Sequence, residues 1–161
     1  MPKKTKKTSV MRLKETVWLD LLASLSFSTD GQNMILKVND AVNLLLEFGS
    51  GGSEHNQKSA VLVLRNLCFN SAAKSQFLAT AKLLPFLLRC VEQGSEQVRV
   101  ISCSALWALV YNSHKAKVNL KNAHIVGKLQ EAYSQLVNMP DSPWAEKCAQ
   151  NLHDVLVVLR S

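Results

Sequence analysis

The sequence predicts an all-α solenoid of about three to four helical repeats, each close to 42 residues long. Three observations carry that reading. The stretch "VLVLRNLCFNSAAKSQFL" from Val61 returns, 42 positions later, as "CSALWALVYNSHKAKVNL" from Cys103. The apolar spacing inside each copy is helical, as Ile101, Ala105 and Leu109 illustrate, with no strand-like alternation. Glycine, serine and proline fall between the apolar runs, where helices must stop.

The same offset extends backward to a third copy without a gap. Leu22, Leu64 and Leu106 align, as do Leu25, Leu67 and Leu109, then Phe27, Phe69 and Tyr111. Leu36, Leu78 and Leu120 follow, then Leu45, Leu87 and Leu129. A fourth copy enters with one inserted residue, which sets Leu152 on Leu109.

The elements follow in order. A first long helix is expected over 10–28, then shorter ones over 31–38 and 40–48, closed by "GSGGS" at 49–53. A second set covers 54–70, 73–80 and 82–93, ended by Gly94 as a C′ glycine. Ser95 then caps a long helix over 96–113, followed by 115–121 and 124–138. In "PDSPW", Ser142 is an N-cap and Pro143 takes the first helical position of a helix over 143–160, where its missing N–H costs nothing. Each unit is thus a long, a short and a medium helix. None can bury its apolar face alone, so neighbours must stack.

Residues 70–113 resemble an armadillo repeat. Leu84-Pro85-Phe86-Leu87-Leu88 and Ala105-Leu106-Trp107-Ala108-Leu109 match the family's two helical signatures, and the likeness runs over 10–160. The resemblance implies a right-handed superhelix whose long helices line a groove for an extended protein partner. It implies no catalytic activity and no cofactor. The groove candidates are Arg65 and Trp107, with Phe69, Tyr111 and Phe27 one turn later; Ala23 takes the equivalent place in the first copy. The three aromatics at the helix ends have a competing use as wedges between repeats. The nuclear-import adaptors of the family grip cargo backbone with an asparagine four residues after the tryptophan. Here that position holds Phe69 or Tyr111, and Asn70 and Asn112 fall one residue late, where capping is the expected role. Basic-cargo binding is therefore not expected.

Register also bears on the domain boundary. The first helix aligns with the third helix of later copies, which leaves an apolar face uncapped. Two expectations follow: the chain is a terminal piece of a longer solenoid, or 10–28 is its own cap with Lys14, Glu15 and Asp20 outward.

Charge and cysteines narrow the function classes. The net charge is +7, but six basic residues precede the first acid, Glu15, and the remainder carries 13 basic against 12 acidic residues. Residues 1–9 read as a basic leader with a possible nuclear address, and the body lacks the basic face a nucleic-acid partner needs. Mean hydropathy is +0.02 and there is no long apolar run, so no spanning helix is expected. Cys68, Cys90, Cys103 and Cys148 have no metal spacing and read as core filling. His55, His114, His124 and His153 lie in separate units, and "FGSGGSEH" lacks the lysine of a phosphate cradle. No small-molecule substrate or membrane partner is expected.

Overall fold

The computed structural model describes residues 8–51, 53–139 and 141–161, and every regular element among them is an α-helix. In chain order these are α1 (Ser9–Leu25), α2 (Thr29–Leu36), α3 (Ala41–Gly49), α4 (Glu54–Leu67) and α5 (Ser71–Leu78). Then come α6 (Leu83–Gln93), α7 (Glu96–Val110), α8 (His114–Asn122), α9 (Val126–Val137) and α10 (Pro143–Arg160). The expected leader at 1–9 lies mostly outside the described residues. Thr8 already caps α1, its hydroxyl accepting from the Met11 N–H at 3.2 Å.

The long helices α1, α4, α7 and α10 stack side by side as one layer. Against them lie α3 on α4, α6 on α7 and α9 on α10, while α5 meets α8 along the short-helix row. The leucines that repeat every 42 residues are the core. Leu45, Leu87 and Leu129 are fully buried, and so are Leu67, Leu109 and Leu152. Each contributes about 2 kcal/mol by leaving water. The repetition in sequence is therefore repetition of core positions, with every unit covering the next.

Boundaries depart from the sequence expectation in one systematic way. The long helices stop at Leu25, Leu67 and Val110, about three residues early, and the short helices begin one or two residues early. The polar residue after each long helix is the reason. Ser28 caps α2, Asn70 caps α5 and Ser113 caps α8, each accepting N–H bonds from the helix it starts. A capping residue takes extended dihedrals, so the preceding helix cannot run through it. The asparagines do cap turns, but differently. Asn70 is an N-cap, whereas Asn112 adopts the left-handed conformation at φ 49°.

Two cap expectations need correction. Gly94 is extended, at φ −69° and ψ 167°, so it is no left-handed C′ residue. Space requires its glycine instead: a Cβ there would stand 2.5 Å from the Cys90 carbonyl oxygen and 2.6 Å from Val98 Cγ1. Ser142 is the N-cap residue of α10 with Pro143 at the helix start, but its hydroxyl makes no capping bond and is buried without a hydrogen-bond partner among the described residues.

Candidate functional site

The long-helix layer presents a face on which equivalent positions recur every 42 residues. Along α4 it runs through Lys58, Leu62 and Arg65, and along α7 through Val100, Ser104 and Trp107. Along α10, shifted by the inserted residue, it runs through Pro143, Lys147 and Gln150. Spacings of three and four keep each set on one side of its helix.

Of the expected groove residues, Trp107 and Tyr111 come together. Trp107 is half-buried, and its ring lies 5.6 Å from that of Tyr111, tilted by 56°. Tyr111 closes α7, where its carbonyl accepts from Lys74 Nζ at 2.9 Å. Arg65 is also half-buried, but it pairs with Asn66, donating from Nε to Oδ1 at 3.1 Å. Phe27 and Phe69 lie beyond the last turns of α1 and α4, because both helices end early. Their rings are 67% and 73% exposed, and Tyr111 is 54% exposed, so none is wedged inside a repeat seam. Phe27, Phe69 and Tyr111 are thus exposed aromatics at equivalent repeat positions.

Sequence reasoning missed a second part of this face. A cleft of about 510 Å³ opens between the first turns of α4, α7 and α10, lined by Lys58, Val100, Ile101, Trp144 and Lys147 among others. Trp144 is held by Arg99, whose guanidinium stands 5.1 Å from the ring centre while its Nε donates to the Val91 carbonyl at 2.9 Å. The signal was available, since Lys58 and Val100 are one repeat apart. Trp144 falls where the fourth copy needs an insertion, which hid its position. The cleft combines the Trp144 ring and aliphatic side chains with the Lys58 and Lys147 ammonium groups and the Glu96 carboxylate, a setting for an apolar side chain with polar or charged neighbours.

Catalytic geometry is a different matter. His55 Nε2 meets Asp20 Oδ1 at 2.8 Å, and the Ser59 hydroxyl donates to the same oxygen at 3.2 Å. In a nucleophilic triad the histidine stands between serine and carboxylate. Here the carboxylate stands between, so nothing activates Ser59, and the three residues tie α1 to α4. His153 lies against Tyr133, with ring centres 6.0 Å apart. All four cysteines are free and buried. Burial pushes the Cys68 thiol up to about 12 and the Cys90 thiol to about 11. Hydrogen bonding to Cys148, and then burial, raise Cys103 well above the ordinary thiol range. Cys68, Cys90 and Cys103, held protonated in this way, are packing groups and not nucleophiles, while the same hydrogen bond with Cys103 lowers the Cys148 thiol. Among the described residues no cluster of histidine, cysteine and carboxylates could hold a metal, and no helix is long and apolar enough to cross a membrane.

Comparison with known proteins agrees with this architecture. No family model matches the chain. It is 37% identical over 147 residues to rotatin of Mus musculus and 33% identical to rotatin of Homo sapiens. Both alignments cover 87% of this chain and 7% of the relative, so the chain spans a small fraction of the length of the curated relatives it matches. Among solved structures, a designed armadillo repeat protein superposes with a TM-score of 0.75, covering 96% of this chain and 60% of its own at 16% identity. The chain has an armadillo-like fold.

Proposed function

We propose that this chain, a homologue of one short stretch of rotatin folded as an armadillo-like solenoid, is a non-catalytic scaffold that binds protein. We assign it to the C-terminal part of a rotatin-type solenoid. Its place is the centrosome and the ciliary basal body, and its process is centriole assembly and cilium formation. The kinship with rotatin supports the location.

The observation that carries the binding role is the exposure of Phe27, Phe69 and Tyr111 at equivalent repeat positions, with Trp107 packed beside Tyr111. Aromatic and arginine side chains are the usual anchors of protein interfaces, each worth about 2 kcal/mol or more when central. Phe69 contributes little to folding at its exposure, so an interface accounts for it better than packing does. Arg65 is an anchor already fixed in orientation by Asn66, which lowers the entropy cost of using it.

The test is the position of the tagged chain in ciliated cells beside a centriole marker, with and without residues 1–9. Focal signal at centrioles that survives removal of the leader is the expected result. Nuclear signal that vanishes with the leader would favour the other reading, a stand-alone adaptor delivered by "PKKTKK". Phe69→Ala and Trp107→Ala then probe the face. Phe69→Ala leaves melting within about 2 °C of the parent, since surface changes are near neutral. Trp107→Ala costs less than about 3 kcal/mol, because the ring is only half-buried. Centriolar signal unaltered by both variants would sink the use of this face.

A further inference from the structure

Each long helix of this solenoid is covered by the one before it, and the covering contacts define a face. On α4 that face carries His55, Asn56, Ser59 and Asn66. They meet Asp20, Thr16, Asp20 and Ser26 respectively, at 2.8, 2.9, 3.2 and 2.9 Å. One repeat earlier, the same positions on α1 are Leu13, Lys14, Val17 and Ser24. Another position on this face is Leu21, whose equivalents are Val63, Ala105 and Cys148. All three are fully buried, whereas Leu21 is 56% exposed.

Val10, Leu13 and Val17 are 63%, 63% and 60% exposed, and with Leu21 they form one stripe at helical spacing. The far end of the layer is built differently. Lys147, Gln150 and His153 are exposed on α10, and Gln150 Nε2 donates to Asp154 Oδ1 at 3.1 Å. A polar outer face is what solvates the end of a repeat array, and a contiguous apolar face is what seats a neighbour. The α1 end is thus more apolar than the α10 end, where Val157 is the one exposed large apolar side chain among the described residues of the helix.

We propose that the Val10–Leu13–Val17–Leu21 face of α1 seats the long helix of a further armadillo-type unit. The occupant follows from the register, because α4 and α7 receive the preceding long helix on these same positions. The relatives have the length to supply it, since this chain covers only 7% of each. Residues 1–7 offer only Met1 and Pro2 as apolar side chains, too few for a stripe of about three turns. The partner's chemistry follows as well. Where α1 presents Thr16 and Asp20 to the polar face of α4, the incoming helix must present apolar residues to Leu13 and Val17. A carboxylate there would be desolvated without a partner. The proposal rests on the kinship with a longer solenoid and not on the exposed aromatics.

The experiment titrates the full chain with a purified fragment of mouse rotatin, three repeats long, that ends where the matched stretch begins. The expected result is a one-to-one complex, weakened at least about 30-fold by Leu13→Glu with Val17→Glu. That double variant melts with the parent, since both side chains are exposed. Phe69→Ala leaves the complex intact, which separates this face from the exposed aromatics. The proposal is overturned if the parent chain forms no complex, if the double variant binds as the parent does, or if Phe69→Ala abolishes binding. A homodimer of the chain alone that the double variant dissolves would also overturn it, giving the face to a second copy.

Discussion

At the residue scale, the thiols show how burial sets chemistry. Cys68 and Cys90 sit in the core with their thiol forms favoured, chiefly because a thiolate there would be desolvated. The stability consequence has a definite sign. Below about pH 9 these thiols are protonated in both the folded and the unfolded chain, so their contribution is constant. As pH rises from about 9 toward 12, the unfolded chain releases protons that the folded chain retains, and stability falls. The loss is at most about 1.4 kcal/mol per pH unit for each thiol. Urea melts at about pH 7.5 and about pH 10 should show this drop, and replacing Cys68 and Cys90 by alanine should reduce it. A midpoint with the same pH dependence in the alanine variant would refute the assignment. Glycine at 31 is a second residue-scale constraint: a Cβ would lie 1.9 Å from the Leu25 carbonyl oxygen, so α2 can approach the end of α1 only as it does with glycine there.

At the element scale, the seam between α1 and α4 is held by a set of polar pairs. Its centre is Asn66, buried, which donates through Nδ2 to the buried Ser26 hydroxyl and accepts from Arg65. Gln32 completes the cluster, donating to the Ser26 carbonyl at 2.9 Å. Asn66→Ala removes two of these bonds and leaves polar atoms under cover, a loss of about 1–3 kcal/mol. Chemical denaturation of the variant measures it, and a change below about 0.5 kcal/mol would mean that water replaces the amide. Asp20 belongs to this seam too. The expectation that it would face outward on a capping helix fails, because its carboxylate turns to His55 and Ser59 on α4. What faces outward from α1 is largely the apolar stripe.

At the scale of the whole molecule, a solenoid's stability is close to a sum of units and seams, so position along the stack matters. Both α4 and α7 are flanked on two sides by long helices, while α1 and α10 have one such neighbour each. Amide hydrogen exchange should therefore be slowest in α4 and α7 and fastest in α1, whose outer face has no long helix against it among the described residues. Protection in α1 equal to that in α7 would contradict this picture. In the complex proposed for the α1 face, protection of α1 should rise toward that of α4.

The amino-acid sequence by itself determined the repeat length, the helix order and the core. Periodic leucines and interrupting glycines and serines are local signals, and they recur often enough to be read without a partner. Arg65 and Trp107 were legible as one repeated position, and Phe27, Phe69 and Tyr111 as another, because the members of each set sit one repeat apart. Helix ends were less legible, since Ser28, Asn70 and Ser113 could each have continued a helix or started one, and packing chose the start. Trp144 and the cleft beside it were hidden by the inserted residue of the fourth copy. The register already implied an uncovered apolar face, but only the tertiary structure decided that Asp20 serves a seam and that Val10, Leu13, Val17 and Leu21 are the side chains left uncovered among the described residues. Which face of an amphipathic helix is buried depends on what the neighbouring repeat brings to it, and no periodicity within one helix records that.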